Sequence, residues 1–311
     1  MTISLLIPVH NYDIVALVCS MRSCLFNIPE FTEILIGVDG STTENITKYR
    51  SLEGKGVRII VSEMNIGRAA IRNKLALEAT GDFLLFIDAD AMLPGTAEAY
   101  IQKWIPVMNH SRVTCGGILY RESPPGDPDK ILRWKYGRKR EQRKASERNK
   151  NPYASFSTFN VLIERTIFSK LRFNEEIKQY GYEDTLLSYQ LRKAGIRIHH
   201  IDNCLIHDGL ESNLDYLKKI KEGITNLSIL YDSVTDKKTF TSSVRLLRNY
   251  KWIRFLRLRL IMAAIYIRYR ERMEIRIDSA DPKLWLFSLY KLSMFCTIRE
   301  IHVRKINSLT I

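Results

Sequence analysis

Two aspartates one residue apart, Asp88 and Asp90, stand directly after five consecutive apolar residues, Phe83-Leu84-Leu85-Phe86-Ile87. An apolar run of that length has the make-up of a strand buried on both faces of a parallel sheet. Two carboxylates at its exit repel each other unless a cation lies between them. A hard divalent ion, Mg²⁺ or Mn²⁺, suits the place, because it takes oxygen ligands and commonly completes its shell with substrate phosphates. The competing reading is that both acids cap the helix that follows, where negative charge favours the N-terminus.

Such a pair needs a frame. Ile3–Pro8, Ile34–Val38 and Val57–Val61 are further short runs rich in β-branched residues, separated by segments long enough for helices. The alternation implies βαβ units, an α/β class and a mainly parallel sheet flanked by helices. Each run ends in polar residues: His10-Asn11, Asp39-Gly40-Ser41, Glu63-Met64-Asn65 and Asp88-Ala89-Asp90. Ligands of open α/β sheets gather at the carboxyl ends of the strands, so four polar exits outline one crevice. Neither GxGxxG nor GxxxxGK[ST] occurs, which excludes a Rossmann fingerprint and a P-loop.

The 311 residues carry 48 Lys/Arg against 34 Asp/Glu, and the excess is uneven. Residues 1–243 hold 33 cations and 29 acids, residues 244–311 hold 15 and 5, so a catalytic domain over 1–243 and a basic helical extension over 244–311 are expected. From Ile253 to Arg272 a single helix would align Ile253, Leu256, Leu260, Ala263, Ala264 and Ile267, with arginines at both borders. That stripe suits a helix lying on an anionic membrane surface, the alternative being one packed on the domain with a solvated basic rim. Its longest uncharged run, Leu260–Ile267, is far below the ~20 residues needed to span a bilayer. Five scattered cysteines without a CxxC pair argue against a disulfide or zinc framework and for a reducing compartment. The first residues read as a strand and not a signal peptide, so a cytoplasmic protein is expected, with the basic stripe pointing to a peripheral place on the inner face of the cell membrane.

The segments Ile7–Tyr12, Val38–Ser41, Asn65–Asn73, Asp88-Ala89-Asp90 and Tyr182-Glu183-Asp184 occur in the order seen in family 2 glycosyltransferases, which the chain resembles over residues 1 to 210. The resemblance implies the GT-A fold, a nucleotide-sugar donor, a divalent metal and transfer with inversion at the anomeric carbon. It makes Pro8, Val9, His10 and Asn11 the wall for the nucleoside and Asp39 the partner of its base, commonly uracil. It sets Arg72, with Arg68 one turn before it on the same helix face, near the nucleotide. Asp88, with Ala89, would face the ribose or a metal-bound water while Asp90 ligates the metal; the two roles could be reversed. Asp184 would be the general base and Glu183 would position a sugar hydroxyl, since adjacent helical side chains diverge by about 100°. His207 would add an imidazole to the metal site, which tilts the choice toward Mn²⁺ over Mg²⁺. Each of these residues also has a structural reading: a turn aspartate, solvated arginines, a helix cap, a packed histidine.

Arg121–Asn151, with three prolines and the basic run Arg138–Lys144, reads as an insertion near the acceptor, mobile or a solvated helix. Phe156–Ile163 reads as a strand that returns to the site and brings Asn160 to a sugar. The expected activity is hexosyl transfer from a UDP-sugar to a glycan or lipid-linked acceptor in polysaccharide or glycolipid synthesis. A catalytically inactive nucleotide-sugar scaffold is the alternative. Nucleic acid is not expected as a partner, because no RRM, KH or helix-turn-helix signature accompanies the charge.

Overall fold

The computed structural model describes residues 1–176 and 181–309, with side chains to Ile301. Packing divides the chain into two units, one of residues 1–121, 140–178 and 183–209, the other of residues 122–139, 179–182 and 210–311. The division at 209/210 falls upstream of the change in charge at 243/244, because the long helix after Ser212 packs with the basic helices.

The first unit is built on a seven-stranded sheet in the order β3-β2-β1-β4-β8-β6-β9. These strands are β1 Ile3–Val9, β2 Phe31–Asp39, β3 Val57–Ser62, β4 Phe83–Ile87, β6 Val113–Cys115, β8 Asn160–Glu164 and β9 His199–His200. Only β8 runs against its neighbours. The apolar runs alternate between two cores as a pleat requires: Ile3, Leu5, Ile7, Phe83, Leu85 and Ile87 point into one, Leu6, Leu84 and Phe86 into the other. A three-stranded second sheet, order β5-β10-β7, joins β5 Ala91–Met92, β7 Ile118–Leu119 and β10 Leu205–His207.

Two helices of this unit carry site residues. Helix α1, Arg68–Glu78, starts after Gly67, whose φ of 92° lets the chain turn out of the β3 exit. It lies close on β2 because Gly37 has no side chain; a Cβ there would come within 2.9 Å of Ile71 and Leu75. Helix α2, Glu183–Lys193, buries Leu187 and Leu191 in the second core. Residues Pro152–Ser155 form a 3₁₀ turn, so the returning strand begins at Asn160 and not at Phe156.

The 140–151 half of the insertion is tied down. Arg148, 4% exposed, donates to the carbonyls of Arg143, Cys115, Gly116 and Ile201. Its Nη1 also lies 2.9 Å from Nδ1 of His200, whose Nε2 lies 3.0 Å from the Pro152 carbonyl. Burial, with the Arg148 charge beside it, pushes the His200 imidazole down to about 4, so it stays neutral.

The second unit is helical: α3 Asn213–Ser233, α4 Arg245–Phe255, α5 Arg259–Ile277 and α6 Leu284–Leu309. Its core is aromatic, with Tyr216 against Phe287 at 5.8 Å and Tyr250 against Phe295 at 5.0 Å. The single amphipathic helix expected over 253–272 is not formed. The chain breaks after Phe255, with Arg257 at φ 58°, and the expected stripe is divided: Ala263 is buried while Leu256, Leu260, Ala264 and Ile267 are exposed. No helix among the described residues is long and apolar enough to cross a membrane.

Candidate active site

The strand exits of the first unit converge as expected, and hydrogen bonds fasten them to one another. Asn11, at φ 49°, accepts from the Thr42 N–H at 2.8 Å and the Asn45 amide at 3.2 Å. The His10 ring meets the Asp39 carbonyl at 2.6 Å. Together with Pro8 and Val9, these residues make a loop held rigidly against the β2 exit. Asp39 is buried, and its carboxylate accepts the N–H groups of Ile66 at 2.6 Å and Gly67 at 3.1 Å. It therefore anchors the turn into α1, and each oxygen keeps a lone pair for a further donor.

Helix α1 delivers Arg72 to the end of β4. The guanidinium is 3% exposed and its Nη2 donates to Asp88 at 2.5 Å. Its Nε and Nη1 are buried with no hydrogen-bond partner among the described residues. The Phe173 ring lies 5.7 Å from its Cζ. Burial opposes the charge, but Asp88, Asp184 and Glu183 outweigh it and hold the Arg72 pKa above its ordinary value. Arg68 sits exposed at the start of the same helix.

On α2, Asp184 accepts from the Thr158 N–H at 3.0 Å and from its hydroxyl at 2.7 Å. Burial and the neighbouring Glu183 push its carboxyl up to about 6, against the pull of Arg72 and Thr158. The Oε2 of Glu183 is buried and accepts no hydrogen bond among the described residues. A base whose pKa lies near neutrality, beside an unfilled acceptor, can take a proton from a hydroxyl and orient the group that carries it.

The aspartates of the Asp88-Ala89-Asp90 turn diverge. Asp88 turns to Arg72, while Asp90 faces His207, with Oδ2 and Nε2 3.5 Å apart. The small sheet makes this meeting: β10 pairs antiparallel with β5 so that His207 stands opposite Ala91. Gly209 completes it, since a Cβ there would lie 2.4 Å from the Asp90 carboxylate. The His207 ring is stacked between Tyr120 and Phe159, at 5.5 and 5.4 Å. Two ligands at about 2.1 Å from one ion, roughly a right angle apart, sit about 3 Å from each other, so this spacing suits a shared cation. The three-residue set Asp88, Asp90, His207 is not gathered, and no group of three His, Cys, Asp or Glu among the described residues could hold a metal. The reason is the ion pair that takes Asp88 to Arg72. A metal held by these two side chains would leave its other positions to water and phosphate, an arrangement common for hard divalent ions.

A cavity of about 590 Å³ opens beside Asp90, lined among others by Tyr12, Asp13, Ala89 and Asp208. Burial first, then the charges of Asp90, Asp208 and Asp13, hold the Tyr12 hydroxyl above its ordinary pKa. Asn160, in contrast, is 2% exposed and engaged internally: it accepts from the Tyr100 hydroxyl and donates to the carbonyls of Gly117 and Asn203. It fastens strands and presents no free amide hydrogen to a sugar. The residues missed from sequence are the partners Thr158, Tyr120 and Phe159, whose types carry no signal of their own.

An uncharacterized glycosyltransferase of Haemophilus influenzae is 30% identical over 122 residues, 38% of this chain. The match spans 47% of that relative, so the chain covers about half its length. Among solved structures, a mannosyltransferase of Pyrobaculum calidifontis in complex with GDP-Man and Mn²⁺ superposes with a TM-score of 0.55 at 11% identity, over 94% of this chain and 85% of that one. Glucosyl-3-phosphoglycerate synthase of Mycobacterium tuberculosis, with Mn²⁺, UDP and phosphoglyceric acid, gives 0.51 at 17% identity, over 76% and 80%. These likenesses establish the architecture, a GT-A sheet flanked by helices. The sequence profile described as glycosyl transferase family 2 matches residues 4–172, more than half of the chain and every β-strand exit from His10 to Asp90, and the chain belongs to that family.

Proposed function

We propose that the chain is a metal-dependent, inverting hexosyltransferase that moves a sugar from a nucleotide sugar, a UDP-sugar foremost, to a hydroxyl of a glycan or lipid-linked acceptor in surface polysaccharide or glycolipid synthesis. The observation that carries this reading is the buried Arg72, set among Asp88, Glu183 and Asp184 with two of its nitrogens, Nε and Nη1, unfilled. Unfilled buried donors are costly unless a ligand completes them, and a diphosphate oxygen does so. The wall Pro8–Asn11 and Asp39 would receive the nucleoside, Arg72 and Arg68 the diphosphate, and Asp88 and Ala89 the ribose.

Asp90 and His207 would hold the divalent ion, Mn²⁺ in preference to Mg²⁺ because imidazole is one of the two donors. A bound ion of that kind offsets the negative charge of a departing diphosphate. Asp184 takes the proton of the acceptor hydroxyl as that oxygen bonds to the anomeric carbon and the bond to the diphosphate breaks. The free oxygen of Glu183 orients a sugar hydroxyl. The solved relatives that carry GDP-Man or UDP together with Mn²⁺ support the same pairing of ligands. The arginines and exposed apolar residues of α4 and α5 support work at a membrane surface, and the scattered unpaired cysteines support the cytoplasmic side of it.

Thermal-shift screening of nucleotide sugars with and without Mn²⁺, followed by hydrolysis of the best binder, tests the proposal. Expected are Mn²⁺-dependent stabilisation by one nucleotide sugar and turnover that is lost in Asp90→Ala. Donor binding without turnover across a broad acceptor panel would favour an inactive scaffold.

A further inference from the structure

The helical unit has a cavity of its own, about 470 Å³ in volume, remote in sequence from every motif of the transferase. Its lining is charged in one sense. Arg254 comes from the end of α4, Arg257 from the break, Arg259 from the start of α5 and Arg299 from α6. Tyr231 of α3 and Tyr250 of α4 form the wall, with the Arg299 guanidinium 5.3 Å from the Tyr231 ring centre.

Two of the four charges are compensated. Arg299, 12% exposed, forms a two-pronged pair with Asp232, and Arg259 meets Glu300 at 3.1 Å. Arg254 and Arg257 have no carboxylate partner among the described residues. Arg257 holds the left-handed backbone conformation that costs a non-glycine residue of order 1 kcal/mol or more, and that conformation ends α4 where the cavity opens. Guanidinium groups collected this way, two of them uncompensated, match a phosphate carrying one or two negative charges.

The rim says which kind of phosphate. Leu260 lines the cavity and is exposed, and so are Trp252, Phe255, Leu256 and Ile261 beside it in the chain, with Phe255 at 75%. A free phosphate gains nothing from such a rim. A lipid head group does, because aromatic and aliphatic side chains settle at the boundary of head groups and acyl chains while arginines reach the phosphates. We propose that this cavity binds the phosphate head group of an anionic membrane lipid, with Arg254, Arg257, Arg259 and Arg299 as the cradle and Phe255, Leu256 and Leu260 in the lipid boundary. The inference rests on the membrane part of the function proposed above and not on the transfer chemistry.

Co-sedimentation of the full chain with phosphatidylcholine vesicles, with and without phosphatidic acid, tests it. Wild type should bind the phosphatidic acid vesicles selectively. Arg254→Ala with Arg257→Ala should lower that binding roughly tenfold or more, the scale for two cations at an anionic surface. The same charge removed at the exposed Arg268 and Arg272 of α5 should lower it by about threefold at most. Phe255→Ser with Leu256→Ser should weaken vesicle binding yet keep any thermal shift caused by inorganic phosphate. Equal losses in the two arginine pairs would mean diffuse attraction, and wild-type binding by the cavity pair would empty the cradle of meaning; either overturns the proposal. Full competition by inorganic phosphate, with the apolar pair binding vesicles normally, would assign a free anion and overturn it as well. Loss of the transfer reading would show separately, as absent nucleotide-sugar hydrolysis with vesicle binding intact.

Discussion

The two units make opposite use of polar side chains. In the first, charged groups stand at strand ends and are fixed by backbone that cannot move without breaking a sheet: Asp39 by the Ile66 and Gly67 amides, Asp184 by the Thr158 amide, His207 by β-pairing opposite Ala91, next to Asp90. In the second, arginines are spread along helices and paired across them, as Arg299 with Asp232. A sheet edge concentrates function into short motifs, whereas a helix bundle distributes charge over a surface. Changes in the first unit should therefore alter turnover, and changes in the second should alter stability or association.

The sharpest test of that contrast is Asp184→Asn. As general base its loss should lower turnover by roughly 10²–10⁴-fold while the donor still binds. The same change should stabilise the fold. The folded pKa of Asp184 is raised from 3.8 to about 6, so its favourable contribution is present below the unfolded value and lost as pH rises through the folded one. The variant should thus melt higher than wild type above about pH 7 and equally near pH 4. Wild-type turnover should climb with pH through about 6, a limb absent from the variant. Thr158→Val removes a hydroxyl that donates to the carboxylate, so it should move the limb to higher pH. A limb that stays put removes Thr158 from that role.

Arg148→Met asks whether a first-unit residue can act on stability alone. It would take one of the donors from the Cys115 and Gly116 carbonyls, which keep the Ile201 and Asn203 N–H groups, and remove the guanidinium donor of the Ile201 carbonyl, at a cost of about 2 kcal/mol by denaturant titration. Turnover of the folded fraction should be unchanged. His207→Ala is smaller and opposite in kind: stability should hold nearly steady, while the Mn²⁺ needed for half-maximal activity should rise roughly 10–100-fold. Equal metal requirements in both proteins would return His207 to a packing role between Tyr120 and Phe159.

Legibility followed the same divide. The first four strands lie where apolar runs between polar exits put them, with Phe83–Ile87 matched residue for residue. Period-two patterning and strand-end polarity are local, and local order can be read along the chain. What escaped depends on pairing at a distance. Asn160 looks available in sequence but is engaged by Tyr100, Gly117 and Asn203, and Asp88 leaves the expected metal set because Arg72, sixteen positions earlier, reaches it. The break at Arg257 has neither glycine nor proline to announce it, so the 3.6-residue pattern runs on through it.

Tyr290→Phe is the mildest test and probes the second unit directly. The Tyr290 ring is fully buried on α6, and its hydroxyl donates to Oε1 of Glu274 on α5 at 2.7 Å. Removing the oxygen keeps the ring packing and deletes the hydrogen bond to the Glu274 carboxylate, along with the contact to the Tyr266 hydroxyl. Glu274 is not stranded, because Lys221 of α3 stays 2.9 Å from the same carboxylate. The loss should therefore stay near the net worth of one such bond, about 1.5 kcal/mol, and not reach the larger penalty of an unpaired buried charge. Nucleotide-sugar turnover should be unaffected. A several-fold fall in turnover at unchanged stability would mean that the helical unit reaches into the chemistry, and the division of labour drawn above would fail at that point.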